Sequence, residues 1–323
     1  MLSDTVIETT CKAIESKFEA ISKAEMAADG PPPHVLYHYT STEGLHGIIE
    51  KRELWATNVL YLNDTSELSG AFELLTSELE SAPLKIGQKA RDYCLCTEVY
   101  SERIPLDHFV TSFCEKGDLV GQWRAYGAPG TGYSIGFQAS ALQCAANREE
   151  NNLRGACALR KVQYNLVRKK EMIRARIAVL NEILEPMANE LEPPPDEEVR
   201  GLERLLQQIT ASFAATMALM KHDAFEQEQE WHLVRTLWQK RDPTSYWPVQ
   251  VRPIRGKLAP YVPISWEASN TTGPQGICGI DGVRCGPSVV PELQEKAVRD
   301  FLAARNCWKA RDHVVRSGVP LRA

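Results

Sequence analysis

Leu36-Tyr37-His38-Tyr39-Thr40-Ser41-Thr42-Glu43-Gly44-Leu45-His46-Gly47-Ile48-Ile49 reads as a short apolar strand, a polar turn and the start of an amphipathic helix. The strand delivers one histidine, and Thr40 and Ser41 follow it at the turn. A histidine beside two hydroxyls at a strand end suits ligand binding. By itself, His38 better suits a satisfied, half-buried histidine.

Before this stretch, Ile7, Cys11, Ile14, Phe18 and Ile21 recur at three- and four-residue steps, which predicts a helix over 3–27 with Ser3 as its cap. Gly30-Pro31-Pro32-Pro33 ends that helix and separates an N-terminal element, residues 1–30, from a single domain over 31–323. After it, a strand is expected at Leu54–Thr57. Asn63-Asp64-Thr65-Ser66-Glu67 reads as a turn with a helix cap, followed by helices over about 65–80 and 87–101. Asp107–Phe113 suits a central strand, Leu119–Tyr126 a short helix or turn, and Tyr133–Phe137 and Leu159–Tyr164 two more strands. Two long helical patterns, about 168–190 and 196–221, flank Pro193-Pro194-Pro195 and read as a helical hairpin inserted between strands. Strands resume at Trp231–Trp238, Val249–Val251, Tyr261–Ile264 and Gly276–Cys285. A helix over 291–305 and a closing strand at Val314–Ser317 complete the pattern. Strands early and late around a helical insertion give an α+β fold with a mixed or antiparallel sheet.

The chain has 323 residues and a net charge of -5, so no broad basic excess drives it toward nucleic acid. Nine cysteines, odd in number and scattered, read as reduced thiols of a cytoplasmic protein. Cys94-Leu95-Cys96 and Cys278…Cys285 lack paired zinc spacing, so no metal is expected. The N-terminus lacks the apolar core of a signal peptide, and no apolar run is long enough to span a bilayer. Neither a G-x-G-x-x-G after a strand nor a P-loop is present, and no G-x-S-x-G elbow supports a serine hydrolase around Ser41 or Ser134.

Three separated clusters can carry chemistry. They are His38-Tyr39-Thr40-Ser41; Gln122-Trp123-Arg124-Ala125-Tyr126-Gly127 with Tyr133-Ser134; and Glu226-Gln227-Glu228-Gln229-Glu230-Trp231-His232. Period 2 across the last puts Glu228, Glu230 and His232 on one face, with Trp231 and Leu233 toward the core. The carboxylates would then face water or a cleft. The clusters meet only if their strands are neighbours. Arg124 suits a diphosphate clamp, because guanidinium matches phosphate oxygens, or else a buried ion pair or a contact with Trp123 or Tyr126.

The sequence resembles an uncharacterised bacterial family, DUF2971. The resemblance rests on Leu36-Tyr37-His38-Tyr39-Thr40-Ser41, Glu53-Leu54-Trp55-Ala56-Thr57, Leu62-Asn63-Asp64-Thr65-Ser66-Glu67, Gln122-Trp123-Arg124-Ala125-Tyr126-Gly127, Gly132-Tyr133-Ser134-Ile135-Gly136-Phe137, Lys221-His222-Asp223-Ala224-Phe225 with Glu230-Trp231, and Ser317-Gly318-Val319-Pro320-Leu321-Arg322. The family usually carries Arg where this chain has His232. More distantly, the order His38, Tyr133, Glu230 is similar to the His–Tyr–Glu pattern of ADP-ribosyltransferase-like folds.

That resemblance implies a split sheet and an enzyme using NAD as its substrate. Such an enzyme transfers ADP-ribose to a protein or nucleic acid, or hydrolyses NAD; bacterial proteins of this kind act as toxins or in phage defence. Cleaving the nicotinamide–ribose bond builds positive charge on the sugar. Glu230, with Glu228 second, would stabilise it and hold the 2′-hydroxyl. Tyr133 or Tyr39 would stack on nicotinamide, and His38 would donate to a ribose hydroxyl. Thr40, Ser41 and Ser134 would line the site, and Arg124 would hold the diphosphate. The alternative is an inactive nucleotide sensor or an interaction module built on the helical hairpin.

Overall fold

A computed structural model describes residues 3–62, 65–85, 108–126, 132–152, 155–186, 203–237, 249–254, 256–267 and 279–320. In chain order the elements are α1 (Asp4–Asp29), β1 (Val35–Thr40), α2 (Thr42–Lys51), β2 (Glu53–Asn58), α3 (Thr65–Ser81), β3 (His108–Cys114), α4 (Val120–Tyr126), β4 (Tyr133–Gln138), α5 (Ala139–Asn152) and β5 (Gly155–Lys161). Next come α6 (Leu166–Leu184), α7 (Glu203–Met217), β6 (Glu230–Leu237), β7 (Gln250–Ile254), β8 (Lys257–Ser265), β9 (Ile280–Cys285), α8 (Pro291–Ala304), α9 (Trp308–Asp312) and β10 (Val314–Arg316). A 3-10 helix, Asp223–Glu228, precedes β6. The expected helix over 87–101, the Asn63-Asp64 cap and the triple-proline link lie outside the described residues.

The chain forms two compact units. One comprises Met1–Pro31, Val59–His108 and Gln163–Asp223; the other comprises Pro32–Asn58, Phe109–Val162 and Ala224–Ala323. Thus α1, read as a separate N-terminal element, groups with both helices of the hairpin read as an insertion.

The first unit is helical. Ile7, Cys11 and Ile14 of α1 are buried, as are Ile173, Ile177, Leu180 and Leu184 of α6 and Leu205, Ile209, Phe213 and Met217 of α7. These are the inner faces that the three- and four-residue spacing marks. Ser3 caps α1 by accepting from the Val6 amide at 3.4 Å. Inside this unit the Arg176 guanidinium grips buried Glu25 with two bonds, 2.6 and 3.0 Å.

The second unit carries the sheet, ordered β10-β9-β4-β1-β3-β2-β8-β7, with β5 joined through β6 to β3. It is antiparallel in the β1–β4, β4–β9, β2–β8, β7–β8 and β5–β6 ladders and parallel between β9 and β10. The result is a mixed α+β fold with a largely antiparallel open sheet. One core runs along a face of it, including Leu36, Leu54, Phe109, Phe113, Ile135, Phe137, Leu159, Trp231 and Leu233. Helix α5 was not expected. Its buried residues Ala139, Leu142, Ala145 and Ala146 are mostly alanines, which signal helical periodicity weakly.

Candidate functional site

The strand β1 carries the opening motif into the middle of the sheet. Six register pairs join it to β4: Thr40 faces Tyr133, Tyr39 faces Ser134, and His38 faces Ile135. Period 2 therefore sets His38, Thr40 and Tyr133 on one face, and Tyr39 and Ser134 on the other. His38 and Tyr133 are diagonal neighbours across the ladder, the relation at which long side chains still reach one another. The fold brings this expected pair together.

On its other side β1 pairs with β3 at Tyr37 and Cys114. One residue further along, the imidazole replaces the ladder: His38 Nδ1 lies 2.9 Å from the Ser112 carbonyl oxygen. A carbonyl only accepts, so Nδ1 carries the proton. Burial pushes the imidazole below its ordinary range, the Ser112 carbonyl opposes this, and the positive charge of Arg252 adds to the lowering. His38 is therefore the neutral Nδ1–H tautomer near pH 7, and Nε2 is an acceptor. Toward a ligand hydroxyl this tautomer offers Nε2 as a hydrogen-bond acceptor, whereas the expected donation would have to come from a ring whose Nδ1–H is already spent on Ser112. Its ring sits 5.8 Å from that of Phe113.

Tyr39 belongs to the framework. Its ring meets Trp123 edge-on at 4.8 Å. Its hydroxyl donates to the Lys116 carbonyl at 2.9 Å and accepts from the Leu119 amide at 2.8 Å. Burial raises the phenol well above its ordinary pKa, and the Leu119 amide only partly offsets this. The ring is engaged where nicotinamide stacking would need it free, and Ser134 beside it is fully buried. Thr40 leans on α2: a Cβ added at Gly44 would lie 1.8 Å from Thr40 Oγ1, so only glycine admits this approach. Ser41 caps α2 by accepting from the Gly44 amide at 3.2 Å, and it donates to Glu43 at 2.8 Å. Cys285 faces Tyr133 across the next ladder, but burial pushes its thiol up to about 12, so it stays protonated.

Glu230 opens β6, which pairs with β3. Strand β3 thus separates it from β1, an offset of two strand spacings or roughly 10 Å. Its carboxylate does not face water: Glu230 is 4% exposed and His232 6%. His232 Nε2 lies 3.0 Å from Glu230 Oε2, so this histidine supplies a partner for the carboxylate. Trp231 lies on the other face, its indole donating to Glu115 at 2.9 Å. Glu228 does not continue this face. It ends the 3-10 helix, and Gln229 turns the chain with φ 46 before the strand begins. A non-glycine residue in the left-handed region breaks the period-2 extrapolation. Gln229 is held there as its carbonyl accepts from the Glu115 amide at 3.2 Å.

Arg124 is exposed near the end of α4, so the expectation of a buried ion pair at this residue is not met. Two groups that carry no motif are better placed. Asp118 accepts from the Trp123 indole at 2.8 Å, the Ser317 hydroxyl at 2.5 Å and the Gly318 amide at 2.7 Å. Burial raises its carboxyl, but these three donors and Arg284 outweigh that and hold it below the ordinary range. It ties the Gln122-Trp123 segment to Ser317-Gly318. Arg252 stacks over Trp55 at 5.2 Å and over Tyr261 at 5.5 Å. Neither was visible in the sequence, since each acts through partners distant along the chain.

Among the described residues no cluster of His, Cys, Asp and Glu could hold a metal ion, and no helix is long and apolar enough to cross a membrane. Residues 122–233 match the model of a family described as a protein of unknown function, DUF2971. The matched stretch runs from Gln122 in α4 through Tyr133 to Glu230 and Leu233 in β6, and stops short of the His38 strand. No curated protein and no solved structure matches the chain.

Proposed function

With residues 122–233 matching DUF2971, we propose that this chain is an ADP-ribosyltransferase-like enzyme that cleaves the nicotinamide–ribose bond of NAD and passes ADP-ribose to a macromolecule or to water. One observation carries the reading: the Ser112 carbonyl locks His38 as an Nδ1–H imidazole, leaving Nε2 as an acceptor beside Thr40 and Tyr133. An acceptor at that point suits a ribose hydroxyl. In this reaction the C1′–N bond breaks and its electron pair leaves with nicotinamide. The acceptor's lone pair then forms the new bond at C1′ and its proton is lost. Glu230 balances the charge that develops on the sugar, and His232 orients it.

A second reading is favoured by a different observation. Glu230 is buried and already paired with His232, as suits a domain that binds a nucleotide without cleaving it.

Nicotinamide release from labelled NAD separates the two. The enzyme reading expects release by the native chain and its loss in Glu230→Gln and His38→Ala. NAD binding with no release by the native chain supports the sensor. Release at the native rate in Glu230→Gln removes Glu230 from the chemistry.

A further inference from the structure

Arg252 is a half-buried guanidinium that forms no ion pair with a carboxylate among the described residues. It stands on β7, opposite Ala259 of β8, and leans toward β2. Its Nη2 donates to Thr57 Oγ1 at 2.7 Å, and its plane lies over the rings of Trp55 and Tyr261. Its Nε is shut off from solvent with no hydrogen-bond partner. Lys51, exposed at the end of α2, places its ammonium 4.7 Å from the centre of the Trp55 ring. Glu53 shares the Trp55 face of β2 but forms no ion pair with either cation. The contrast within the same unit is clear: Arg299 and Arg316 each hold Glu295, and Arg305 holds Glu50.

Removing a guanidinium from water without an anion is unfavourable, and aromatic faces compensate only in part. The rings do fix its plane, which prepares the fork for a bidentate oxyanion. Desolvation depresses the arginine's pKa, and the Tyr261 phenol opposes this in part. The same charge is the smallest of the causes that act on His38, and it disfavours protonation there.

We propose that Arg252, held by Trp55, Tyr261 and Thr57 and assisted by Lys51, is an anion-binding site that takes the diphosphate of a nucleotide. This role was expected at Arg124. Assigning the diphosphate to NAD rests on the function proposed above; the anion site itself does not.

The test is calorimetric titration of the full chain with inorganic diphosphate and with ADP at low ionic strength. Both bind the native protein, and more weakly as salt rises. Arg252→Gln weakens both by about tenfold or more, and Lys51→Gln by a few-fold, as expected for a bidentate clamp beside a point charge. Lys296→Gln, which removes a remote surface cation, changes neither. Binding of neither probe by the native chain overturns the proposal. So does native-strength binding in folded Arg252→Gln, or a loss that falls on Arg124→Gln instead. Should Arg252→Gln fail to fold, Lys51→Gln at its exposed helix end decides: an unchanged affinity overturns the proposal. Arg252-dependent ADP binding without nicotinamide release leaves this site standing and removes the NAD-cleaving reading.

Discussion

Two buried carboxylates in this chain are held in different ways. Glu25, in the helical unit, receives a two-pronged grip from Arg176, whose charge is permanent. Glu230, in the sheet unit, receives one bond from His232, whose charge exists only when it is protonated. The first pair is a clasp between α1 and α6, with no variable to adjust. The second joins alternate residues of one strand, β6, by a single imidazole–carboxylate contact. Burial alone therefore does not distinguish the two carboxylates; the chemistry of the partner does.

The largest effect should come from breaking the clasp. Glu25→Gln leaves the Arg176 guanidinium buried and uncompensated, which should cost about 3–5 kcal/mol in denaturant unfolding of the helical unit. Replacing both residues together, Glu25→Leu with Arg176→Met, should restore most of that loss. If Glu25→Gln proves harmless, the clasp is ornamental and the comparison fails from that side.

Next comes the close approach that shapes the other region. Gly44→Ala drives a methyl group into Thr40 and should destabilise the sheet unit by about 1–3 kcal/mol. Adding Thr40→Ala should recover most of this, because the clashing atom is the Thr40 hydroxyl oxygen. Failure of that rescue would place the strain in the α2 backbone.

Glu230→Gln sharpens the comparison directly. The glutamine amide keeps a hydrogen-bonding group toward His232, so the cost should be only about 1 kcal/mol, well under that of Glu25→Gln. On the function proposed above, nicotinamide release should vanish with it. A stability loss equal to that of Glu25→Gln would make Glu230 a second clasp.

The two regions were also unequally legible. Helix α1 and the hairpin faces were readable because their apolar residues repeat at helical steps over many turns. That the strands of His38 and Tyr133 are neighbours was only a condition for the clusters to meet; the β1–β4 ladder supplies it. Glu230 was recognisable, but its environment was not. Extending period 2 back to Glu228 assumed a strand where Gln229 takes a left-handed turn, and nothing local to Gln227-Glu228-Gln229 signals that. Arg252 and Asp118 escaped notice for a related reason. Val251-Arg252-Pro253 looks like an ordinary edge strand, and the rings that hold Arg252 include Trp55, far along the chain. A non-local cluster becomes visible only when the strands are in place.

The smallest effect is the most diagnostic of His38. Its folded pKa lies below the value of the unfolded chain, so the unfolded state binds the proton first as pH falls. With more protons on the unfolded chain, stability rises with pH in this window. The contribution of His38 is therefore complete above the unfolded imidazole pKa, near 6.5, and is lost as pH falls through the folded value. Melting temperatures between pH 7.5 and 5 should decline, and His38→Gln should decline less steeply, because its amide can keep a donor toward Ser112 without titrating. The same substitution in an Arg252→Gln background adds a second reading. With the neighbouring positive charge gone, His38 protonates more readily and the native slope should flatten. If Arg252→Gln leaves the slope unchanged, the two groups are not coupled, and the sheet unit holds two separate features instead of one site.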